Sequence, residues 1–218
     1  MAIRTPFVSN PALGLLNTLM TRRARGLAGR LAPLLPGNGP ILDIGSGTGH
    51  NGECLRRLWL GPVSEVDVVD FSVAGPPPVL FDGCRLPFSD AQFDAVTMIY
   101  VLHYVPDPVG LLKEARRVCR GNLVVMQTVC EGRAGPGFNR VNEAVSRLGF
   151  YAARAIGLID PVPCPLHSRR DFSREALLQI VHRAGLAPKS LRAERHLPFL
   201  PLIRITCSLA PFERSCRR

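Results

Sequence analysis

Apolar residues recur along this chain with two different periods, and the changes between them mark its elements. From Pro11 onward Leu13, Leu16, Met20, Ala24, Leu27 and Leu31 return every three or four residues and share one side of a helix. Arg22, Arg25 and Arg30 point elsewhere, so this helix is amphipathic with a basic side. Asn10 suits its cap and Pro11 its first position. The run LPGNGP (35–40) then breaks the chain. Shorter apolar runs follow at ILDI (41–44), VSEVDVVDF (63–71), PVLFD (78–82), FDAVTMIYVLHYV (93–105) and NLVVMQTVC (122–130), and these predict five strands. Between or after them, NGECLRRLWL (51–60), DPVGLLKEARRVCR (107–120) and SREALLQIVHRAGL (173–186) have helical spacing, the last opened by Ser173 and closed near Gly185. KSLRAERHL (189–197) and LIRITCSLAPF (202–212) read as a closing pair of strands.

Strands alternating with helices predict an α/β fold, a doubly wound, mostly parallel sheet with a C-terminal antiparallel hairpin and an N-terminal helical cap. The expected organisation is a single domain over 1–218. Within it, 1–38 form the helical cap, 39–130 a ligand-binding core, 131–172 an insert over the open end of the sheet, and 173–218 the last helix and strands.

The first chemical signal is DIGSGTGHN (43–51), where three glycines in five positions follow a strand. A phosphate loop would need Gly-Lys-Ser/Thr here, and no lysine is near. A dinucleotide fingerprint would need a glycine where His50 stands. In a doubly wound sheet the ligand lies beyond the carboxyl ends of the strands, so this bend belongs to the site. Its backbone N–H groups can meet a carboxylate, and Asp43 can hold an ammonium group. Asp70, placed at the end of the second predicted strand, can accept from a ribose diol; Asp67, three residues back inside the strand, is the competing candidate. Phe71 can lie against a purine. Asp82, at the end of the third strand, can accept from an exocyclic amine, with the following backbone meeting a ring nitrogen. An amino acid, a ribose and an adenine together describe S-adenosylmethionine.

The same residues carry a family resemblance. DIGSGTG (43–49), VVDFS (68–72), DGCRLPFSDAQFDAV (82–96), VLHYVPDPVGLLKEARRV (101–118) and NLVV (122–125) resemble, in order, the motifs of class I, Rossmann-like S-adenosylmethionine-dependent methyltransferases of the type 11 group. The resemblance implies that Asp43, Gly45, Ser46 and Gly47 bind the methionine end and that Asp70 binds the ribose hydroxyls. It implies that Phe71 contacts the adenine and that Asp82, Gly83 and Cys84 recognise its edge. Ile99 and Tyr100 fall where such enzymes line the path of the methyl group. Two departures stand out. Few residues separate Asp70 from Asp82, so the helix expected between the second and third strands is missing or short. CRGN (119–122) replaces the usual turn before the fifth strand.

Methyl transfer from a sulfonium is a direct displacement, so the protein's part is positioning, exclusion of water and, for some acceptors, removal of a proton. Tyr100, His103 and His167 are the candidate bases, Gln127 an orienting partner, and Tyr104 and Tyr151 packing residues.

Charge adds a second layer. The chain of 218 residues has a net charge of +10, and only two of its 27 basic residues are lysine. The charge is uneven: residues 1–40 carry five arginines and no acid, residues 41–110 three arginines against nine acids, and residues 111–218 nineteen basic residues against eight acids. Seven cysteines show no C-x-x-C pair or cluster with histidine, which predicts reduced thiols, a cytoplasmic protein and no metal site. No apolar run approaches a bilayer-spanning length. The flanks, 1–35 and 131–170, mix apolar residues with arginine, which predicts a small apolar or amphiphilic, lipid-like acceptor and peripheral membrane contact through the basic first helix. A macromolecular acceptor, RNA or protein, is the alternative. The segment MIYVLHY after the fourth strand lacks the N/D-P-P-Y/F motif of many base methylases, and no RNA-binding module is evident. A non-catalytic cofactor binder is the third reading.

Overall fold

The computed structural model describes residues 11–35, 37–58, 61–70, 72–130, 171–195 and 202–211, with three further single helical positions at 144, 148 and 151. Phe71, His167 and nearly all of the expected insert lie outside the described residues. The elements are α1 (Pro11–Leu31), β1 (Ile41–Ile44), α2 (His50–Leu58), β2 (Val63–Asp67), β3 (Val79–Leu80), β4 (Phe93–Ile99), α3 (Pro108–Val118), β5 (Cys119–Cys130), α4 (Arg174–Arg183), β6 (Leu186–Arg195) and β7 (Leu202–Pro211). They form one seven-stranded sheet in the order β3-β2-β1-β4-β5-β7-β6. All neighbours from β3 to β5 are parallel, and β7 runs antiparallel between β5 and β6. The α/β class, the mostly parallel sheet and the C-terminal hairpin match the expectation.

The helix starts follow from sequence. Asp107 caps α3 by accepting from the Gly110 N–H at 2.9 Å, with Pro108 in the first turn, where a missing N–H does no harm. Ser173 caps α4 by accepting from the Ala176 N–H at 3.1 Å. The sheet is covered on both faces because its central strands alternate between two cores. Leu42, Ile44, Val96 and Met98 pack with Leu111, Leu112 and Leu177 on the α3 and α4 side. Ile41, Ala95, Ile99, Val124 and Met126 pack with Ala24, Leu27, Ala28 and Leu31 of α1. Full burial of a leucine such as Leu31 contributes about 2 kcal/mol, so the helical cap is held on by its leucine and alanine stripe.

Two strand ends correct the sequence reading. β2 stops at Asp67 rather than Phe71, and β3 is only two residues long. β1 offers just four residues before the glycine bend, and its last partner is Val66. A parallel neighbour cannot extend its ladder past a strand that has already turned away. β4 likewise ends at Ile99, and the apolar run to Val105 continues as turns rather than strand. Among the described residues no helix lies between β2 and β3, where the sequence predicts one that is missing or short. Instead, the N–H groups of Val73 and Ala74 donate to the Thr48 carbonyl at 3.1 and 3.0 Å, which fastens this shortened connection to the glycine bend.

Candidate functional site

Strand order reverses between β1 and β4, and ligands of such sheets bind at the carboxyl ends of the strands flanking that point. A cavity of about 250 Å³ lies there. Its polar wall comes from Gly45, Gly47, Asp67 and Gly83, and its apolar wall from Ile44, Phe81, Val101, Tyr104, Val105 and Leu111, with Tyr100 between them.

The bend after β1 can exist only with glycine. Gly45, Gly47 and Gly49 all have positive φ, at 72°, 59° and 78°. A Cβ on Gly45 would stand 2.5 Å from a Val101 methyl, and one on Gly49 1.9 Å from the Ala74 carbonyl oxygen. The bend therefore brings backbone against the cavity wall more closely than any side chain allows.

Asp43 lies under this bend, 1% exposed, with one carboxylate oxygen accepting from Thr97 Oγ1 at 2.7 Å. Its other oxygen has no partner among the described residues, and neither does the buried Ser46 hydroxyl. Burial, reinforced by Glu65 and Asp67, pushes the Asp43 carboxyl up to about 7 despite the Thr97 hydrogen bond. A buried carboxylate with an unused oxygen is the arrangement an ammonium group would complete. The residues present fit the methionine end of S-adenosylmethionine.

Asp67, not Asp70, stands at the tip of β2 and lines the cavity. One of its oxygens accepts from the Gly47 N–H at 2.8 Å and the other from the Val68 N–H at 2.7 Å, so the carboxylate also holds the glycine bend in place. The Val69 N–H is a third backbone donor to this carboxylate. Burial raises the Asp67 carboxyl, opposed by those backbone donors. Asp70 turns to its own loop, where one oxygen accepts from the Ser72 N–H and hydroxyl at 3.0 and 2.7 Å. The sequence signal for Asp67 was the shortness of β1, which limits how far β2 can run beside it.

Asp82 is exposed and lies outside the cavity lining, while its neighbours Phe81 and Gly83 line it. Its carboxylate accepts from the Cys84 and Arg85 N–H groups, both at 2.8 Å, and these donors hold it below the ordinary carboxylate value. Asp82 thus shapes the turn that brings Gly83 to the cavity. Cys84 is exposed.

Tyr100 and Ile99 come at the end of β4, as expected. Ile99 is buried in the α1-side core, and Tyr100 lines the cavity. Tyr100 adopts φ 60°, rare for a residue with a side chain, and is held there by donating its N–H to the Met126 carbonyl at 2.8 Å. His103 is buried and does not line the cavity, with Nδ1 against the Gln127 amide nitrogen and its ring edge-on to Tyr104 at 4.1 Å. Of the three candidate bases, the structure brings only Tyr100 to the cavity wall; His103 sits in the core beside it and His167 lies outside the described residues. Tyr104, read from sequence as packing, does line the cavity. His50, in the position that excluded a dinucleotide motif, links Thr48 of the bend to Asn17 of α1 at 3.0 and 2.8 Å.

Residues 16–191 match the family profile described as a methyltransferase domain. The chain belongs to that family. It is of the class I, Rossmann-like type that uses S-adenosylmethionine. Over 180 residues it is 33% identical to the demethylmenaquinone methyltransferase of Roseiflexus sp. (strain RS-1), which covers 72% of this chain and 71% of the relative. For other curated relatives it matches, the chain spans about half their length. Its fold is similar to the geranyl diphosphate C-methyltransferase of Streptomyces coelicolor A3(2), solved with S-adenosyl-L-homocysteine, at a TM-score of 0.60, 13% identity and coverage of 85% and 78% of the two chains. It is also similar to a SAM-dependent methyltransferase of Thermotoga maritima, at 0.57, 19% identity and coverage of 87% and 91%. Among the described residues no helix is long and apolar enough to cross a membrane.

Proposed function

We propose that this methyltransferase domain transfers the methyl group of S-adenosylmethionine to a small, apolar or amphiphilic acceptor. The observation that carries the reading is the pair of buried carboxylates, Asp43 and Asp67, on either side of a glycine bend at the reversal point of the sheet. S-adenosylmethionine supplies an activated methyl group on sulfur. Asp43 and the glycine bend hold its amino acid end, and Asp67 takes the ribose hydroxyls. The turn shaped by Asp82 presents the backbone of Gly83 and Cys84 to the adenine edge.

The acceptor enters along the apolar wall of Tyr100, Val101, Tyr104 and Val105, which excludes water and aligns the nucleophile. Such alignment supplies much of the acceleration in a displacement whose leaving group is already charged. An apolar wall of this kind and the curated relatives named for demethylmenaquinone methylation both support a small acceptor.

The test has two stages. Calorimetry with S-adenosylhomocysteine should give saturable one-to-one binding to the wild type and none to Asp67→Ala. Radiolabel transfer from S-adenosylmethionine is then compared for a prenylated naphthoquinol, bulk tRNA and bulk protein. Label in tRNA or protein and not in the quinol overturns the small-molecule reading.

A further inference from the structure

We propose that Arg23 and Arg204 form an anion subsite at Tyr100, so that the acceptor presents a carboxylate or a phosphate beside the cavity. The proposal deepens the methyltransferase reading above and rests on it for the identity of the ligand as an acceptor.

Tyr100 lines the cavity and is met by guanidinium groups from two elements. Arg204, on β7 opposite Thr128, donates through Nε to the Tyr100 phenolic oxygen at 2.9 Å. Its side chain is only 11% exposed. From α1, the Arg23 guanidinium carbon stands over the Tyr100 ring, 5.4 Å from its centroid. Arg30 belongs to the same face, and Glu194 serves both it, at 2.9 Å, and Arg204, at 3.4 Å. Arg30 and Arg204 therefore share the Glu194 carboxylate. Among the described residues no carboxylate lies within ion-pair distance of Arg23, which rests instead on the face of Tyr100.

The strained backbone of Tyr100 is held by its N–H donating to the Met126 carbonyl, and Arg204 meets its phenolic oxygen. A second cation on the same ring adds positive charge that nothing described offsets, next to a wall the acceptor must pass. Guanidinium groups suit the planar oxygens of a carboxylate and the tetrahedral oxygens of a phosphate. Partial burial strengthens such contacts by lowering the local dielectric. An acceptor with an apolar body and one anionic group fits both the wall and the cations: the body lies on Val101, Tyr104 and Val105, and the anion lies between Arg23 and Arg204.

Calorimetry on the full chain tests this. S-adenosylhomocysteine is titrated first, and its binding reports on the methyltransferase reading alone. The probes 2-naphthoate, 2-naphthyl phosphate and the neutral 2-naphthalenemethanol are then titrated into the protein, saturated with S-adenosylhomocysteine where that binds. At least one anion is expected to bind about tenfold more tightly than the neutral probe, as for a hydrogen-bonded charge. Preference for the phosphate marks a phosphate-bearing acceptor, and preference for the naphthoate a carboxylate-bearing one. Arg23→Gln and Arg204→Gln should each remove most of the preference while S-adenosylhomocysteine affinity stays within about threefold; Arg204→Lys should keep part of it. Arg23 is exposed, so its variant folds even if the Arg204 change disturbs Tyr100. Equal binding of charged and neutral probes, no binding of any probe at millimolar concentration, or a preference that survives Arg23→Gln overturns the proposal.

Discussion

The two walls that meet at Tyr100 carry opposite charge in opposite settings. On the β1 and β2 side the ionisable groups are carboxylates, and Asp43 and Asp67 are almost wholly buried. On the β4 and β7 side they are chiefly arginines, with Arg204 largely covered and Arg23 and Arg30 open to solvent. The difference mirrors the chain itself, in which an acidic middle stretch lies between basic flanks. A charge buried without a full partner destabilises a fold until a ligand supplies that partner, whereas an exposed charge is nearly neutral to stability. The acid wall should therefore respond to substitution through both stability and cofactor affinity, and the basic wall chiefly through the acceptor.

The largest expected effect is at the tip of β2. Asp67→Ala removes the acceptor for backbone donors of the glycine bend and the β2 tip and for the proposed ribose diol, and S-adenosylhomocysteine affinity should fall at least about 100-fold. Calorimetry checks it. A loss below about tenfold would place the ribose contact elsewhere and dissolve the contrast between the walls.

Asp43 gives the sharper form of the same contrast, because its effects on stability and binding have opposite signs. Its folded value of about 7 lies above the ordinary 3.8, so the folded state retains a proton that the unfolded chain has lost. Stability contributed by this group is present below about pH 4, declines as pH rises toward 7, and stays low above it. Asp43→Asn keeps an oxygen for the Thr97 hydroxyl and abolishes that penalty. The ligand-free variant should melt about 5 °C higher than wild type at pH 8 and no higher at pH 4. S-adenosylhomocysteine affinity should drop about tenfold, through loss of a charged partner for the ammonium group. In the wild type that affinity should rise from pH 6 to pH 8, as Asp43 ionises. Scanning calorimetry and titration at the three pH values decide it, and a variant less stable at pH 8 would contradict the reading.

His103 tests whether the ground between the walls holds a base. It is buried against Gln127 and Tyr104 and does not line the cavity. His103→Gln should lower the melting temperature by about 3–6 °C while changing turnover at saturating cofactor less than about threefold. A pH-dependent loss of turnover well beyond that, with binding intact, would return His103 to the chemistry.

Much of this arrangement was legible before any coordinates. The strand and helix order, the glycine bend and the missing helix after β2 each follow from local pattern, since a bend with three positive φ angles admits little but glycine. Strand ends were less legible, because a strand stops where its neighbour stops. β2 looked apolar through Phe71, yet β1 turns away at Gly45, and so Asp67 rather than Asp70 comes to the strand tip and the cavity, which is why the proposed ribose role falls to it. The roles of Asp82 and His103 were hidden for a related reason. A carboxylate two residues before an open N–H caps a turn as readily as it binds a ligand, and an apolar run such as VLHYV does not say which way each side chain faces. The basic wall was invisible, since Arg23, Tyr100 and Arg204 meet only through tertiary packing.

The smallest effect separates contact from mere negative charge on the acid wall. Asp70 is three residues from Asp67, but it does not line the cavity, and one of its oxygens accepts from the Ser72 N–H and hydroxyl. Asp70→Ala should weaken that turn by about 1 kcal/mol, the ordinary net worth of such hydrogen bonds. Cofactor affinity should stay within about threefold, because Asp70 does not line the cavity and acts on Asp67 only through its charge. If Asp70→Ala instead weakened S-adenosylhomocysteine binding as much as Asp67→Ala, the loop would have to rearrange on binding to bring Asp70 in. The tip of β2 would then be only a support for the glycine bend. Asp70→Asn divides the remaining cases: it keeps the turn's acceptor and removes the charge, so affinity equal to wild type leaves Asp67 as the ribose partner.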